Sequence, residues 1–543
     1  MTGDGVADIR DGPRRLRSTW PVLLALPLLF ACVAATFLHL KGPFWLGTNL
    51  DPDYQYLLNA LNLALGHTSY HTDHPGQPPQ LIAALVMRIM HAIIGRQGIT
   101  DDVLDAPERY LTVITVTFIA LYVLTSVLVG WLTWRKTGRV APALFVQGAP
   151  LLSATNFVNF VCVKPEPVLL ILATVFTYLV VSHVVTPVSR RSQRWHAVAF
   201  GCVVGIAIAS KVTAAPLALL PLVILPGMFL RLLYVGVSVA AFFVSVIPIL
   251  SRFEEFTGFI ARLASHTGRY GGGQPGYIDL GRYGPDLLQV LLREGAFALL
   301  VLASVSVYAW VAARRRAAPG DQDAILARRA ERALGALILS QIIALLIAGR
   351  HMHETRYLIP LMGMAGLNVA LAFFLLPERR HRAVLSVVTL ALLCYGSISL
   401  GRAGRELLAV RDDQLAVRKL VEEKFSDCTI VYHYRASSLP FALSSADKYA
   451  GDRFWQPLYA RWPGMYFYNV FVGRFYTFRS FISYDDVRPR DCVIMQGSID
   501  SPPYYMLPEG LRGEPLYKGK VEGLLRIRGE VVKRPATAPA TQP

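Results

Sequence analysis

Three observations predict an α-helical polytopic membrane protein with a small α/β domain outside the membrane. Hydrophobic residues make up 53% of the 543 positions, and mean hydropathy is +0.41. A soluble core of this size takes up less apolar mass, so lipid is the solvent. The net charge of +17 sits largely in short arginine runs between apolar stretches, the positive-inside pattern rather than a nucleic-acid face. Beyond residue 401 the composition turns polar, which sets off the appended domain. At about 20 apolar residues per span, about eleven transmembrane helices are expected, at 20–40, 109–134, 140–157, 166–186, 196–210, 214–230, 232–250, 287–312, 333–349, 357–376 and 382–400.

Residues 1–19, with Arg10, Arg14, Arg15 and Arg17, read as a cytoplasmic N-terminal segment. The run after it is long enough to span, so it reads as an uncleaved first helix rather than a signal peptide. Arg135-Lys136, Arg190-Arg191, Arg314-Arg315-Arg316 and Arg379-Arg380 all fall on the side of the N-terminus, and an odd number of spans puts the C-terminal region outside. Excess arginine over lysine fits a GC-rich bacterial source, and the expected location is the bacterial inner (plasma) membrane. Four segments then face outward: 41–108, 156–167, 251–286 and 349–356. The first carries amphipathic stretches over 54–65 and 80–94, expected to lie along the interface. The third is Gly-rich at its centre and is expected to be mobile.

In the domain expected over 405–530, a charged helix covers 410–425, and the apolar runs 428–432 and 492–495 read as buried strands. Of six cysteines only Cys428 and Cys492 are candidates to pair. No CxxC or Cys/His spacing suggests a zinc site, and no cofactor is expected, with a divalent metal left open. The stretch 454–481 is crowded with aromatics and arginines, Trp455, Tyr459, Arg461, Trp462 and Arg474 among them. It reads either as core with an interfacial belt or as a segment closing over an acceptor. Residues 531–543 read as a disordered tail.

Chemistry-bearing residues gather in the outer segments. Asp51 and Asp53 flank Pro52 where a helix opens, so Asp51 reads either as its N-cap or, like Asp53, as a general base. Nearby, Asp73-His74-Pro75-Gly76 forms a second polar knot. In Lys164-Pro165-Glu166-Pro167 the carboxylate is either a helix-dipole charge or a functional group, since a carboxylate beside a lysine at membrane depth is costly unless paired or used. Lys211, between two apolar half-helices, either snorkels or holds phosphate. The segment 350–357 packs Arg350, His351, His353, Glu354, Arg356 and Tyr357. Arg356 suits an anion through its fork of N–H groups, whereas His351 and His353 lack a third metal ligand. His266, Arg269 and Tyr270 read either as lid residues or as an ordinary solvated loop.

Together these residues resemble the GT-C superfamily of integral-membrane glycosyltransferases, and most of all the family of dolichyl-phosphate-mannose protein mannosyltransferases and bacterial aminoarabinose or galacturonic acid transferases to lipid A. Asp51-Pro52-Asp53-Tyr54 resembles that family's acidic motif after the first span, with Pro52 where an acidic residue often sits. His74-Pro75-Gly76-Gln77-Pro78-Pro79 is a looser match to a Pro-rich segment. Glu166, Ser210-Lys211 and Arg356-Tyr357-Leu358-Ile359-Pro360 match later motifs in order and sidedness. The resemblance covers roughly residues 20–400. It implies a polyprenyl-phosphate-linked sugar as donor, an acceptor hydroxyl on a glycan, lipid or protein, an inverting transfer at the outer face, and no nucleic acid. It further implies Asp51, with Asp53, as the base, Glu166 holding acceptor or donor, and Lys211 and Arg356 on the leaving phosphate. His74, Lys164, His266, Arg269, Tyr270, His353 and Tyr357 are the further candidates for substrate contact. A transporter or lipid flippase is the alternative, but paired repeats with broken helices are not evident in the sequence.

Overall fold

The computed structural model describes residues 12–73, 75–187, 189–268, 271–314, 322–350, 354–376, 379–487, 491–498 and 507–530. Among the described residues, eight helices are long and apolar enough to cross a membrane: Thr19–Lys41, Pro107–Thr137, Pro165–Val185, Met228–Ser265, Gly295–Arg314, Ile325–Arg350, Thr355–Leu375 and Leu385–Lys424. Gln77–Ile94 and Ile99–Asp105, bent by 96°, make a ninth if they count as one span.

This is fewer than the eleven spans expected, and the shortfall lies at 140–157, 196–210 and 214–230. The first and last are proline-limited. Val140–Leu152 ends in a 3-10 turn at Pro150, and Val212–Ile224 opens as a 3-10 helix containing Pro216 and stops before Pro226, because proline removes a donor and crowds the preceding turn. The middle one is a helix, Arg190–Ser210, whose first turns carry Arg190, Arg191 and Arg194. The span expected over 287–312 is broken at Glu294, between Leu280–Arg293 and Gly295–Arg314.

The chain divides into two compact units. The first comprises Met1–Leu38, His67–Val86 and Val113–Ala403. Its helices pack closely where side chains are small: a Cβ on Gly205 would lie 2.3 Å from the Ser238 carbonyl of the helix Met228–Val246. Buried amides tie its helices together. Gln341 Nε2 donates to Asn368 Oδ1 at 2.8 Å, and Asn368 Nδ2 donates to Ser304 Oγ at 2.9 Å, so polar groups that would be costly in lipid satisfy one another.

The second unit comprises His39–Gly66, Met87–Thr112 and Gly404–Pro543. Its helix Leu50–Ala64 was expected at the interface but is buried around most of its circumference, with Asp53, Tyr54, Asn59, Leu61 and Asn62 fully inaccessible. The polar side is satisfied by the C-terminal chain: Asn59 Nδ2 donates to Tyr449 O at 2.9 Å and Asn62 Nδ2 to Ala450 O at 3.0 Å. The helix Gln77–Ile94 presents an apolar stripe, with Leu81, Leu85, Ile89 and Ile93 exposed at every fourth position.

Seven strands form one sheet: β1 Thr429–Tyr432, β2 Tyr466–Asn469, β3 Arg474–Tyr476, β4 Phe481–Ile482, β5 Val493–Gly497, β6 Leu511–Lys518 and β7 Gly523–Gly529, ordered β4-β3-β2-β1-β5-β7-β6. The strands read from the cysteine-led runs are β1 and β5, which pair in parallel, Thr429 opposite Val493. Cys428 and Cys492, one residue before each, form a disulfide. The aromatic stretch supplies core, since Phe467, Tyr468, Phe475 and Tyr476 are buried in β2 and β3. The charged helix expected over 410–425 is the end of one continuous helix, Arg379–Lys424. Gly47 must be glycine, because a Cβ there would sit 1.7 Å from Arg435 O. Its N–H donates to Ser437 Oγ at 3.0 Å, and that hydroxyl donates to the buried Glu522 at 2.5 Å.

Candidate active site

The helix that carries the first acidic motif begins at Leu50, with Asn49 at the cap position and no side-chain capping bond. Asp51 therefore lies inside the first turn rather than at the N-cap, and its side chain is outside the described residues. Asp53, one turn further along, is completely buried and paired with Lys41 Nζ at 2.5 Å. Lys41 closes the first span, and its ammonium also lies 4.3 Å from the centre of the Phe44 ring. Asn49 Nδ2 donates to Lys41 O at 3.0 Å and to Pro43 O at 2.8 Å, which fixes the turn between span and helix. Tyr54 donates its hydroxyl to Glu108, which also accepts the Phe44 N–H at 2.9 Å. Burial, then the Glu108 carboxylate, pushes the Tyr54 phenol well above its ordinary pKa, so it stays a proton donor. Lys41 and Glu108 were not singled out in the sequence. Their signals are weak ones, a lysine in the last turn of the first span and a glutamate after the proline that opens the second.

A second constellation lies wholly in the first unit. Glu166, in the first turn of Pro165–Val185, and Lys211, at the extended break after Arg190–Ser210, form a buried ion pair at 2.6 Å with side chains 1% and 2% exposed. The other Glu166 oxygen, Oε2, is buried and makes no hydrogen bond among the described residues, an uncommon condition for an interior carboxylate. Lys164 and Arg356 are also close enough to act on the Glu166 charge. Lys164 Nζ donates to Asn159 Oδ1 at 2.6 Å, and Arg356 Nε faces Glu354 Oε2 at 3.1 Å. Tyr357 lies beneath both cations, its ring centre 5.1 Å from Lys211 Nζ and 6.0 Å from Arg356 Cζ. Three cations around one carboxylate in a desolvated place are suited to an anionic group with a polar neighbour.

The sequence reading missed the group that ties these segments together. Glu294, buried in the helix break, accepts from Ser153 Oγ at 2.6 Å and from the Thr155 hydroxyl. Thr355, next to Arg356, also hydrogen-bonds its carboxylate. Thr155 O in turn accepts Asn159 Nδ2 at 2.7 Å, so one carboxylate links the segments that bear Lys164 and Arg356. A glutamate inside an apparently continuous apolar run was the available signal.

His266 ends the helix Phe253–Ser265, its Nδ1 2.9 Å from Ser265 Oγ. The loop after it closes on itself through Thr267 N to Gln274 O at 2.9 Å and Gly276 N to Ser265 O at 2.8 Å. Arg350 spans it, donating Nη2 to Ala264 O in the helix before it at 2.7 Å and Nε to Tyr277 O beyond it. His74, Arg269, Tyr270, His351 and His353 lie outside the described residues. Among the described residues, no group of three His, Cys, Asp or Glu side chains is placed to hold a metal. Of the residues picked from sequence, Lys164, Glu166, Lys211, Arg356 and Tyr357 therefore fall together, and Asp51 and Asp53 belong to the second unit with Lys41, Tyr54 and Glu108.

No protein-family model matches the chain, and no curated protein matches it in sequence. Solved structures do match. One is ArnT from Cupriavidus metallidurans bound to undecaprenyl phosphate, with a TM-score of 0.48 and 13% identity over 94% of this chain and 98% of that one. The apo form of the same protein matches with a TM-score of 0.50, at 13% identity and the same coverage. The helical bundle with its C-terminal sheet domain matches the apo structure along nearly the whole length of both chains, so this chain has an ArnT-like fold.

Proposed function

We propose that the chain is an inverting glycosyltransferase of the bacterial inner membrane, moving a monosaccharide from a polyprenyl phosphate to an acceptor hydroxyl at the outer face. The observation that carries this reading is the buried Glu166–Lys211 pair flanked by Lys164 and Arg356. The acceptor oxygen attacks the anomeric carbon as the carbon–oxygen bond to phosphate breaks. The bonding pair leaves with the phosphate, and the hydroxyl proton passes to a carboxylate. Lys211 and Arg356 hold the departing phosphate, with Lys164 adding charge, and Glu166 orients the lysine and a sugar hydroxyl. Asp51 is the base. Asp53, already paired with Lys41, holds the start of that helix. An outward C-terminal domain is supported by the Cys428–Cys492 disulfide, since such bonds persist in oxidising compartments.

The test is sugar transfer in membranes with Asp51→Asn and Lys211→Ala, at matched protein levels. The aspartate change should reduce turnover by on the order of a hundredfold or more, and the lysine change should weaken donor use. Full turnover in Asp51→Asn removes the base assignment, and unchanged donor affinity in Lys211→Ala removes the phosphate assignment. Movement of lipid-linked sugar across the membrane with no transfer to any acceptor would replace the enzyme reading with a transporter.

A further inference from the structure

Away from the constellations above, four helix ends in the first unit enclose a cleft of about 220 Å³. It is lined by His183 and Thr186 from the end of Pro165–Val185, Ser192 and His196 from the start of Arg190–Ser210, and Arg329 and Arg332 from the early turns of Gln322–Arg350. Ile224 and Pro226 complete one wall.

Its electrostatics are one-sided. Ser189 caps the helix Arg190–Ser210 by accepting Ser192 N at 3.1 Å, so the positive end of that helix dipole opens on the cleft. The opposing helix end would present carbonyl oxygens, but Arg329 Nη1 donates to Thr186 O at 2.7 Å, and Lys136 Nζ stands 3.5 Å from Thr186 Oγ1. His196 is held by Ser192 O at 2.8 Å and Ser182 Oγ at 3.3 Å, and its ring packs edge-on to His183 at 5.2 Å. No carboxylate lines the cleft among the described residues.

Beyond Pro226 the chain continues into exposed apolar surface. Met228 and Phe229 are 68% and 62% exposed, and Trp195 is 53% exposed. Arg194 lies over the Phe229 ring at 5.6 Å. An indole and a guanidinium on apolar surface mark the headgroup level of a bilayer. A cationic cleft opening there meets a lipid phosphate before it meets a soluble one.

We propose that this cleft binds the phosphodiester headgroup of an anionic lipid in the leaflet at the arginine-rich ends of the spans. Arg329, oriented by Thr186 O, and Arg332 hold the phosphate, with Ser192 and the helix N-terminus beside it. The acyl chains run along Met228 and Phe229. The site is independent of the sugar-transfer reading.

The full chain, purified in mild detergent, is titrated with phosphatidylglycerol or phosphatidylcholine, and bound lipid is read by native mass spectrometry. Phosphatidylglycerol should bind preferentially, and Arg329→Gln/Arg332→Gln should weaken it about tenfold, as expected for two cations lost from an anionic headgroup site. Glutamine at 329 keeps a donor for Thr186 O, and Arg329→Lys/Arg332→Lys, which keeps the charge, should retain most of the binding. Equal binding of the two lipids overturns the proposal. So does phosphatidylglycerol binding that survives the glutamine changes, or is lost equally in the lysine pair. Inorganic phosphate that displaces the lipid through the same arginines assigns the cleft to a soluble anion instead.

Discussion

Asp447 shows what burial does to a single carboxylate. It is 3% exposed and accepts the Phe454 N–H at 2.8 Å, yet burial raises its pKa to about 6. The folded state thus holds the proton more tightly than the unfolded chain, whose aspartate titrates near its ordinary value. The stabilising contribution is fully present below the ordinary value and is lost as pH rises through about 6. Asp447→Asn, which keeps an acceptor for Phe454, should raise stability by about 2 kcal/mol at neutral pH, and the gain should vanish by about pH 4. Thermal melts of the two proteins across that range check it. His433, lowered to about 3 by burial, titrates in both proteins and cancels in the difference. At this scale the sequence was legible where a residue type is costly in lipid. Lys211 and Glu166 drew attention because charge at membrane depth must be paired or used, and they pair with each other. Glu294 and Glu108 escaped because their partners are remote in sequence, Ser153 lying 141 residues from Glu294 and Tyr54 54 residues from Glu108, and a local pattern carries no trace of such a contact. Lys41, only 12 residues from Asp53, escaped because a lysine ending a span reads as an ordinary interfacial charge.

Among the elements, strands announced by apolar runs and helices announced by long hydropathy were readable, and the broken ones were not. Prolines at 150, 216 and 226 were visible, but whether a helix kinks or stops there depends on which neighbours take up the freed carbonyls. The burial of Leu50–Ala64 was hidden for a related reason. Asn59 and Asn62 look like a solvent face until Tyr449 O and Ala450 O are found to satisfy them. The disulfide between β1 and β5 is the cross-link of this domain. It closes a loop of 64 residues, worth about 4 kcal/mol in the chain-entropy model. Cys428→Ser/Cys492→Ser should lower the denaturation midpoint of the C-terminal domain, and reductant should destabilise the parent but not the variant. If reductant shifts both equally, the cross-link is not what it acts on.

For the whole molecule, arginine placement predicts opposite exposure of two surfaces. With Glu514→Cys, a membrane-impermeant maleimide should label intact spheroplasts. With Arg191→Cys it should label only after lysis, and the reverse pattern would invert the orientation. The division into two units was less legible than the membrane character. Hydropathy sorts residues by solvent, whereas the second unit draws on three stretches of chain that sequence order keeps apart.

That division has a consequence in time. Gly47 is bonded to Ser437, and Asn59 to Tyr449, each across 390 residues. At roughly 5–20 residues per second of synthesis, the first-loop helix waits on the order of 20–80 s before its partners exist. Throughout that interval two asparagines and the Gly47 amide must be solvated or chaperoned, so residues made late complete the environment of a polar segment made early.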